Sequence, residues 1–143
     1  MKAYRVHEYG DVAKFIKDEV NKPSAKQGHV VVEVKATSLN PIDHKLLNGD
    51  LGINPALPGI LHMDVTGIIT EVGEGVTNFK MGDEVYGCAG GLQGEAGNIE
   101  GALADFMLAD SNLIALKPKS LSFSESAALP LVTITAWEGL FDR

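Results

Sequence analysis

Short apolar runs alternate with turn residues along most of the 143-residue chain. Residues 3–6 (AYRV) read as a first strand, ended by Tyr9-Gly10-Asp11. Residues 13–20 read as a second, which Asn21-Lys22-Pro23 stops. Gln27-Gly28 makes a turn, and residues 29–36 (HVVVEVKA) follow with β-branched side chains and late alternation. Residues 65–72 are another β-branched run, closed by Gly73-Glu74-Gly75. Lys80-Met81-Gly82-Asp83 turns the chain before residues 84–87, and residues 102–108 and 113–116 complete the set. Turn signals at intervals of about eight to twelve residues predict a mainly β barrel or sandwich.

Two segments break this rhythm. Residues 41–47 (PIDHKLL) predict a short helix, with Pro41 tolerated in its first turn and Asn48-Gly49 ending it. Ser122-Phe123-Ser124-Glu125 fits a capping box, and Pro130 ends or kinks the helix it starts. Ile134, Trp137 and Phe141 then fall at helical spacing. No cap, glycine or proline closes that last helix, so a truncated chain is expected.

Composition narrows the classes. Apolar residues at 45% and charged ones at 22% are globular values. A formal charge of −7, from 12 basic and 19 acidic residues without a Lys/Arg cluster, argues against a nucleic-acid surface. No apolar run approaches the roughly 18–20 residues of a membrane helix. The segment MKAYRVHEYG lacks a signal-peptide core, which makes the cytoplasm the expected compartment. The single cysteine, Cys88, excludes an intrachain disulfide and any multi-cysteine zinc site, and reads as a small hydrophobe.

Local motifs offer little chemistry. Six glycines fall between Gly87 and Gly101, yet neither G-x-G-x-x-G nor G-x-x-x-x-G-K-S/T occurs. A flexible surface loop is the expectation there. Asp43, His44, His62, Asp64 and Cys88 are the best metal-ligand candidates, but nothing local forces them together. No G-x-S-x-G is present, and the acidic pairs Asp18-Glu19 and Asp83-Glu84 read as solvated residues.

Longer stretches carry a resemblance. ATSLNPIDHKLLNG, LPGILHMDVTGIITEVGEGVTNFKMGDEVYG, GALADFMLA and SAALPLVTITAWEGL resemble the N-terminal half of a medium-chain dehydrogenase/reductase. The similarity is closest to the zinc-independent quinone oxidoreductase branch and covers essentially the whole chain. It implies a GroES-like β-barrel catalytic domain over residues 1–121. A helical connection over residues 122–143 would lead into an absent Rossmann domain. It further implies hydride transfer from NADPH to a quinone or an activated C=C or C=O. A small-molecule substrate would be the partner, and a homodimer could form through the missing domain. A stand-alone GroES-like binding domain and a fragment of a zinc-dependent alcohol dehydrogenase are the alternatives.

The resemblance also assigns residues. Zinc-dependent relatives place ligands at the positions of Asn40, Met63 and Leu131. An amide, a thioether and an alkyl group make a poor Zn²⁺ site, so no metal is expected. Asn40 is implied to orient the nicotinamide or a substrate carbonyl, and Asp43 to be an acidic residue of the catalytic cleft. Thr135 is implied to meet the nicotinamide amide, its bland reading being a helix hydroxyl bonded to its own backbone. Lys45 and Met63 would line the substrate side. Asp64 is expected to be structural. His62 stands where relatives have glycine. It is expected to fill a solvated turn, with projection into the substrate cleft as the alternative.

Overall fold

A computed structural model describes residues 1–10, 14–94 and 97–141. Its centre is a five-stranded antiparallel sheet in the order β10-β6-β5-β3-β9: β3 is His29–Ala36, β5 Asp64–Val72, β6 Glu84–Cys88, β9 Phe106–Asp110 and β10 Ile114–Leu116. A three-stranded sheet, β2-β1-β4, joins Phe15–Glu19, Lys2–Val6 and Gly59–Ile60. The mainly β expectation holds. Alternation explains the core: Val30 and Val32 of β3, Val65 and Ile69 of β5, Val85 of β6 and Met107 and Ala109 of β9 form one buried cluster. A smaller one, Val6, Leu46 and Leu61, seats helix α1 (Pro41–Asn48) against β1.

β3 and β5 are the long strands that carry the site. Their pairing shifts register between Val34 and Ala36, so β3 bends as it ends and delivers residues 37–40 over β5. Close approach there depends on Gly67, where an added Cβ would lie 2.1 Å from the Glu33 carbonyl oxygen. α1 closes as predicted. Gly49 sits at φ 81°, and its N–H donates to the Leu46 carbonyl at 3.1 Å.

Several expectations are corrected. The strand predicted over residues 102–108 begins only at Phe106. The preceding residues instead cross between the sheets: Ala102 N–H donates to the His62 carbonyl, Asp105 N–H to the Lys2 carbonyl, and Ala104 bridges Ala3. The second strand starts at Phe15, while Ala13 lies outside the described residues. The two-residue β4 was too short to signal itself. The glycine-rich segment is a hairpin, β7 (Leu92–Gly94) with β8 (Gly97–Ile99), rather than a simple loop. Its glycines answer to packing: a Cβ on Gly101 would fall 1.9 Å from the Leu61 carbonyl oxygen, and one on Gly91 2.9 Å from the His62 backbone.

The C-terminal segment follows its sequence. Ser122 Oγ accepts from Glu125 N–H at 3.2 Å, and Glu125 accepts from Ser122 N–H at 2.8 Å. Helix α2 (Phe123–Ala127) follows that cap, and helix α3 (Pro130–Phe141) starts at the proline. α3 is largely apolar, with Glu138 its one charged residue, and Val132, Ile134, Trp137, Leu140 and Phe141 are exposed.

Candidate active site

Two chain segments, the one after β3 and the start of α3, converge on one buried carboxylate. Asp64 opens β5 and is fully buried. Its Oδ2 accepts from Ser38 Oγ at 2.6 Å and from Asn40 Nδ2 at 2.9 Å. Its Oδ1 accepts from Leu131 N–H at 2.9 Å, in the first turn of α3. A carboxylate facing a helix N-terminus is stabilised by both the hydrogen bond and the helix dipole. Asp64 is thus structural, as expected, and it ties the end of β3 and the start of α3 to the sheet.

Asn40 is the residue before α1 and is buried. Its Nδ2 donates to Asp64 and, at 3.1 Å, to Ser38 Oγ. Both amide hydrogens are therefore engaged, and Oδ1 is the end left to accept. Asp43, also buried, accepts from Asn40 N–H through Oδ2 at 2.7 Å, which locks the entry to α1. Its other oxygen, Oδ1, is buried without a hydrogen-bond partner. Burial pushes the Asp43 carboxyl above the ordinary carboxylate range, against the pull of the Asn40 amide and the nearby His62.

His62 departs most from expectation. It is 8% exposed, not solvated, and its backbone sits at φ 72°. That left-handed conformation suits the glycine which the resemblance places here and costs a histidine on the order of 1–3 kcal/mol. The ring packs edge-on against Phe15 of β2, with centroids 5.9 Å apart. Nδ1 lies 3.5 Å from Thr37 Oγ1, and Nε2 is buried without a partner. Burial holds the His62 imidazole below its usual range, partly offset by the Asp43 and Asp64 charges.

Cys88 faces Asp64 in the β5–β6 register. Burial and the Asp64 and Asp43 charges push its thiol up to about 12, so it is neither a nucleophile nor a thiolate ligand. Asp43, His62, Asp64 and Cys88 do come together. Even so, among the described residues no three His, Cys, Asp or Glu side chains are placed to hold a metal ion. His44 is exposed on α1. Sequence reasoning missed Thr37 and Ser38, whose only signal was their place just before Asn40.

The remaining assigned residues are less engaged. Lys45 is exposed on α1, and Met63 is half-buried beside Asp64, its carbonyl accepting from Ala89 N–H at 2.8 Å. Thr135 Oγ1 donates to the Leu131 carbonyl at 2.9 Å, the bland reading of that hydroxyl. A concavity of about 800 Å³ near Lys22, His29 and Phe106 includes none of the polar cluster. We place the chemistry at the cluster, because two of the three orphaned buried polar atoms among the described residues, Asp43 Oδ1 and His62 Nε2, are there.

Comparison with known proteins adds the following. The family model described as alcohol dehydrogenase GroES-like domain matches residues 26–119. The chain is 40% identical to a 2-methylene-furan-3-one reductase of Solanum lycopersicum, over 98% of this chain and 37% of that protein. A crystal structure of an alcohol dehydrogenase superfamily protein from Novosphingobium aromaticivorans superimposes with a TM-score of 0.89 at 37% identity, covering 100% of this chain and 42% of the other. Escherichia coli quinone oxidoreductase, solved in complex with NADPH, superimposes with a TM-score of 0.82 at 26% identity, covering 99% of this chain and 40% of the other. The chain therefore spans about two fifths of the length of the proteins it matches.

Proposed function

The chain belongs to the alcohol dehydrogenase GroES-like domain family, and from that premise we propose that it is the catalytic portion of an NADPH-dependent oxidoreductase. The acceptor would be a quinone or an activated C=C or C=O. The observation that carries the reading is the buried constellation Ser38–Asn40–Asp43–Asp64, built at the end of β3 with an amide at its head. NADPH supplies the hydride in this chemistry. Asn40, held by Asp64 and Ser38, presents an acceptor oxygen that suits an N–H₂ group such as a nicotinamide carboxamide. It does not suit a substrate carbonyl unless the Asp64 bond is released. Asp43 fixes the Asn40 backbone, and Lys45 and Met63 are proposed to border the substrate. Thr135 reaches a cofactor only by giving up its bond to Leu131.

The reading invokes no zinc. Asn40, Met63 and Leu131, the residues at the relatives' ligand positions, offer neither an imidazole nor an anion. Metal analysis of protein purified without chelator is expected to find no stoichiometric zinc. Residues 1–121 would form the catalytic domain and residues 122–143 the connection to a nucleotide-binding half, through which a homodimer could form. Cytoplasmic residence belongs to the same proposal and is tested by cell fractionation.

The decisive experiment is NADPH oxidation with enone and quinone substrates. The isolated 143-residue chain is expected to show negligible turnover, and its fusion to the nucleotide-binding domain of a relative to show robust turnover. Robust turnover by the isolated chain would overturn the proposed division of labour. A fusion that binds NADPH and reduces neither substrate would overturn the reading itself.

A further inference from the structure

Lysines far apart in the sequence meet at one place. A concavity of about 310 Å³ lies between the β1–β2 hairpin and the end of β3. Lys2 and Tyr4 of β1, Lys17 of β2 and Lys35 of β3 line it, together with Val34 and Leu103. Strand register explains the meeting. Lys2 and Tyr4 stand two apart on β1 and share a face, and β2 sets Lys17 opposite Tyr4 on that face. Backbone bonds fix the floor. Tyr4 N–H donates to the Leu103 carbonyl at 2.8 Å, Asp105 N–H to the Lys2 carbonyl at 2.9 Å, and Val34 N–H to the Asp105 carbonyl at 2.9 Å. The segment around Leu103 and Asp105 therefore spans from β1 to β3, and the concavity is preformed.

The charges there are unbalanced. Lys35 Nζ is held by Glu33 at 2.6 Å. Lys2 and Lys17 make no side-chain ion pair among the described residues. Glu19, opposite Lys2 on β2, lies 3.8 Å from the amino terminus instead. The one carboxylate in the lining, Asp105, accepts from Lys2 N–H through Oδ2 at 2.7 Å. Tyr4 is 44% exposed, and its hydroxyl has no hydrogen-bond partner among the described residues. In a chain of formal charge −7, three lysines against one carboxylate reverse the sign of the local field.

We propose that this concavity is a binding site for a small ring compound with an anionic head, a phosphate or a carboxylate. Lys2 and Lys17 supply free ammonium groups for the head. The Tyr4 hydroxyl adds a donor, and Val34 and Leu103 give the ring an apolar floor. The volume is at the low end for small-molecule sites, which suits a single ring. Thr37 also lines the concavity, and its hydroxyl donates to the Asp64 main-chain carbonyl at 2.6 Å. A bound ligand would thus lie against the segment that leads to Asn40. The binding does not depend on the reductase reading.

The test is an NMR titration of the ¹⁵N-labelled 143-residue chain with phenyl phosphate and with benzoate. Benzyl alcohol serves as the ring without a charge and inorganic phosphate as the head without a ring. At least one of the two ring anions is expected to give saturable shifts centred on the Lys2, Tyr4, Lys17 and Leu103 amides, and the pair shows which head is preferred. Lys2→Gln/Lys17→Gln should weaken that binding about tenfold, the effect of removing two exposed charges. Lys26→Gln/Lys119→Gln, the same change of charge elsewhere, should leave it nearly unaltered. Added salt should weaken it as well. No saturable shift with either ring anion, or shifts centred elsewhere, would overturn the site, and both are read on the unaltered chain should a variant fail to fold. Benzyl alcohol binding as tightly would overturn the role of the lysines, and inorganic phosphate binding as tightly would overturn that of the apolar floor.

Discussion

Replacing Asp64 with alanine removes the acceptor on which Ser38, Asn40 and Leu131 converge. Hydrogen bonds to a charged group contribute about 1.5–3 kcal/mol each, a gross loss of roughly 4.5–9 kcal/mol for three. Relief from keeping an ion out of water offsets several kcal/mol of that. Ser38 is half-buried and can turn its hydroxyl to solvent, while Asn40 keeps Ser38 Oγ at 3.1 Å. Leu131 N–H has no such recourse within the helix, since it lies in the first turn. The net expectation is a destabilisation of about 3 kcal/mol, at the low end of values for breaking a buried charged network. With a urea m-value of about 1–3 kcal/mol per molar, the unfolding midpoint falls by about 1–3 M. Glu19→Ala is the control, because that exposed carboxylate lies 3.8 Å from the amino terminus and should matter by less than about 0.5 kcal/mol. Native-state hydrogen exchange should show the Leu131 amide losing protection first. A midpoint shift no larger than that of Glu19→Ala would refute the claim that one carboxylate unites β3, β5 and α3.

Three further outcomes are expected. Gly101→Ala forces a Cβ to within 1.9 Å of the Leu61 carbonyl oxygen and should destabilise by about 3 kcal/mol, whereas Gly52→Ala, with open space around it, should be nearly neutral by the same urea assay. Cys88, its thiol pushed up to about 12, is about 10⁻⁴ thiolate at pH 8; maleimide should label the native chain at least about 100-fold more slowly than the unfolded chain. His62 is held below its unfolded value of about 6.5, so below that pH the unfolded chain takes up the proton first and stability falls. His62→Gln should flatten that acid-side loss, read as urea midpoints across the pH range, and an unchanged slope would refute the burial argument.

Local signals in the sequence were sufficient wherever the cause was local. The Ser122–Glu125 box and the Gly49 stop depend on residues a few positions apart, and both appear as read. The turn-punctuated strands of the central sheet likewise follow from β-branched runs and their alternation. The hairpin in the glycine-rich segment was not legible, because Gly91 and Gly101 answer to the distant backbone of residues 60–62 rather than to flexibility. His62 was misjudged for a related reason: a Pro-Gly turn suggests solvent, while its burial depends on Phe15 from another sheet. The cluster's wiring spans contacts as far apart in sequence as Asp64 and Leu131, 67 residues, which no periodicity can encode. The resemblance brought Asn40, Asp43 and Asp64 to notice, but not Ser38, which completes their bonding.

The two oxygens of Asp64 look in different directions. One takes the Leu131 amide of α3 and the other takes Asn40 and Ser38. A rigid, planar carboxylate cannot rotate toward one set of partners without turning from the other. Asp64 therefore behaves as the pivot of a balance beam, with a twelve-residue helix as its long arm and a single amide as its short one. A swing of α3 that kept the Leu131 bond would have to turn the carboxylate, and with it the acceptor that holds Asn40 at the head of α1.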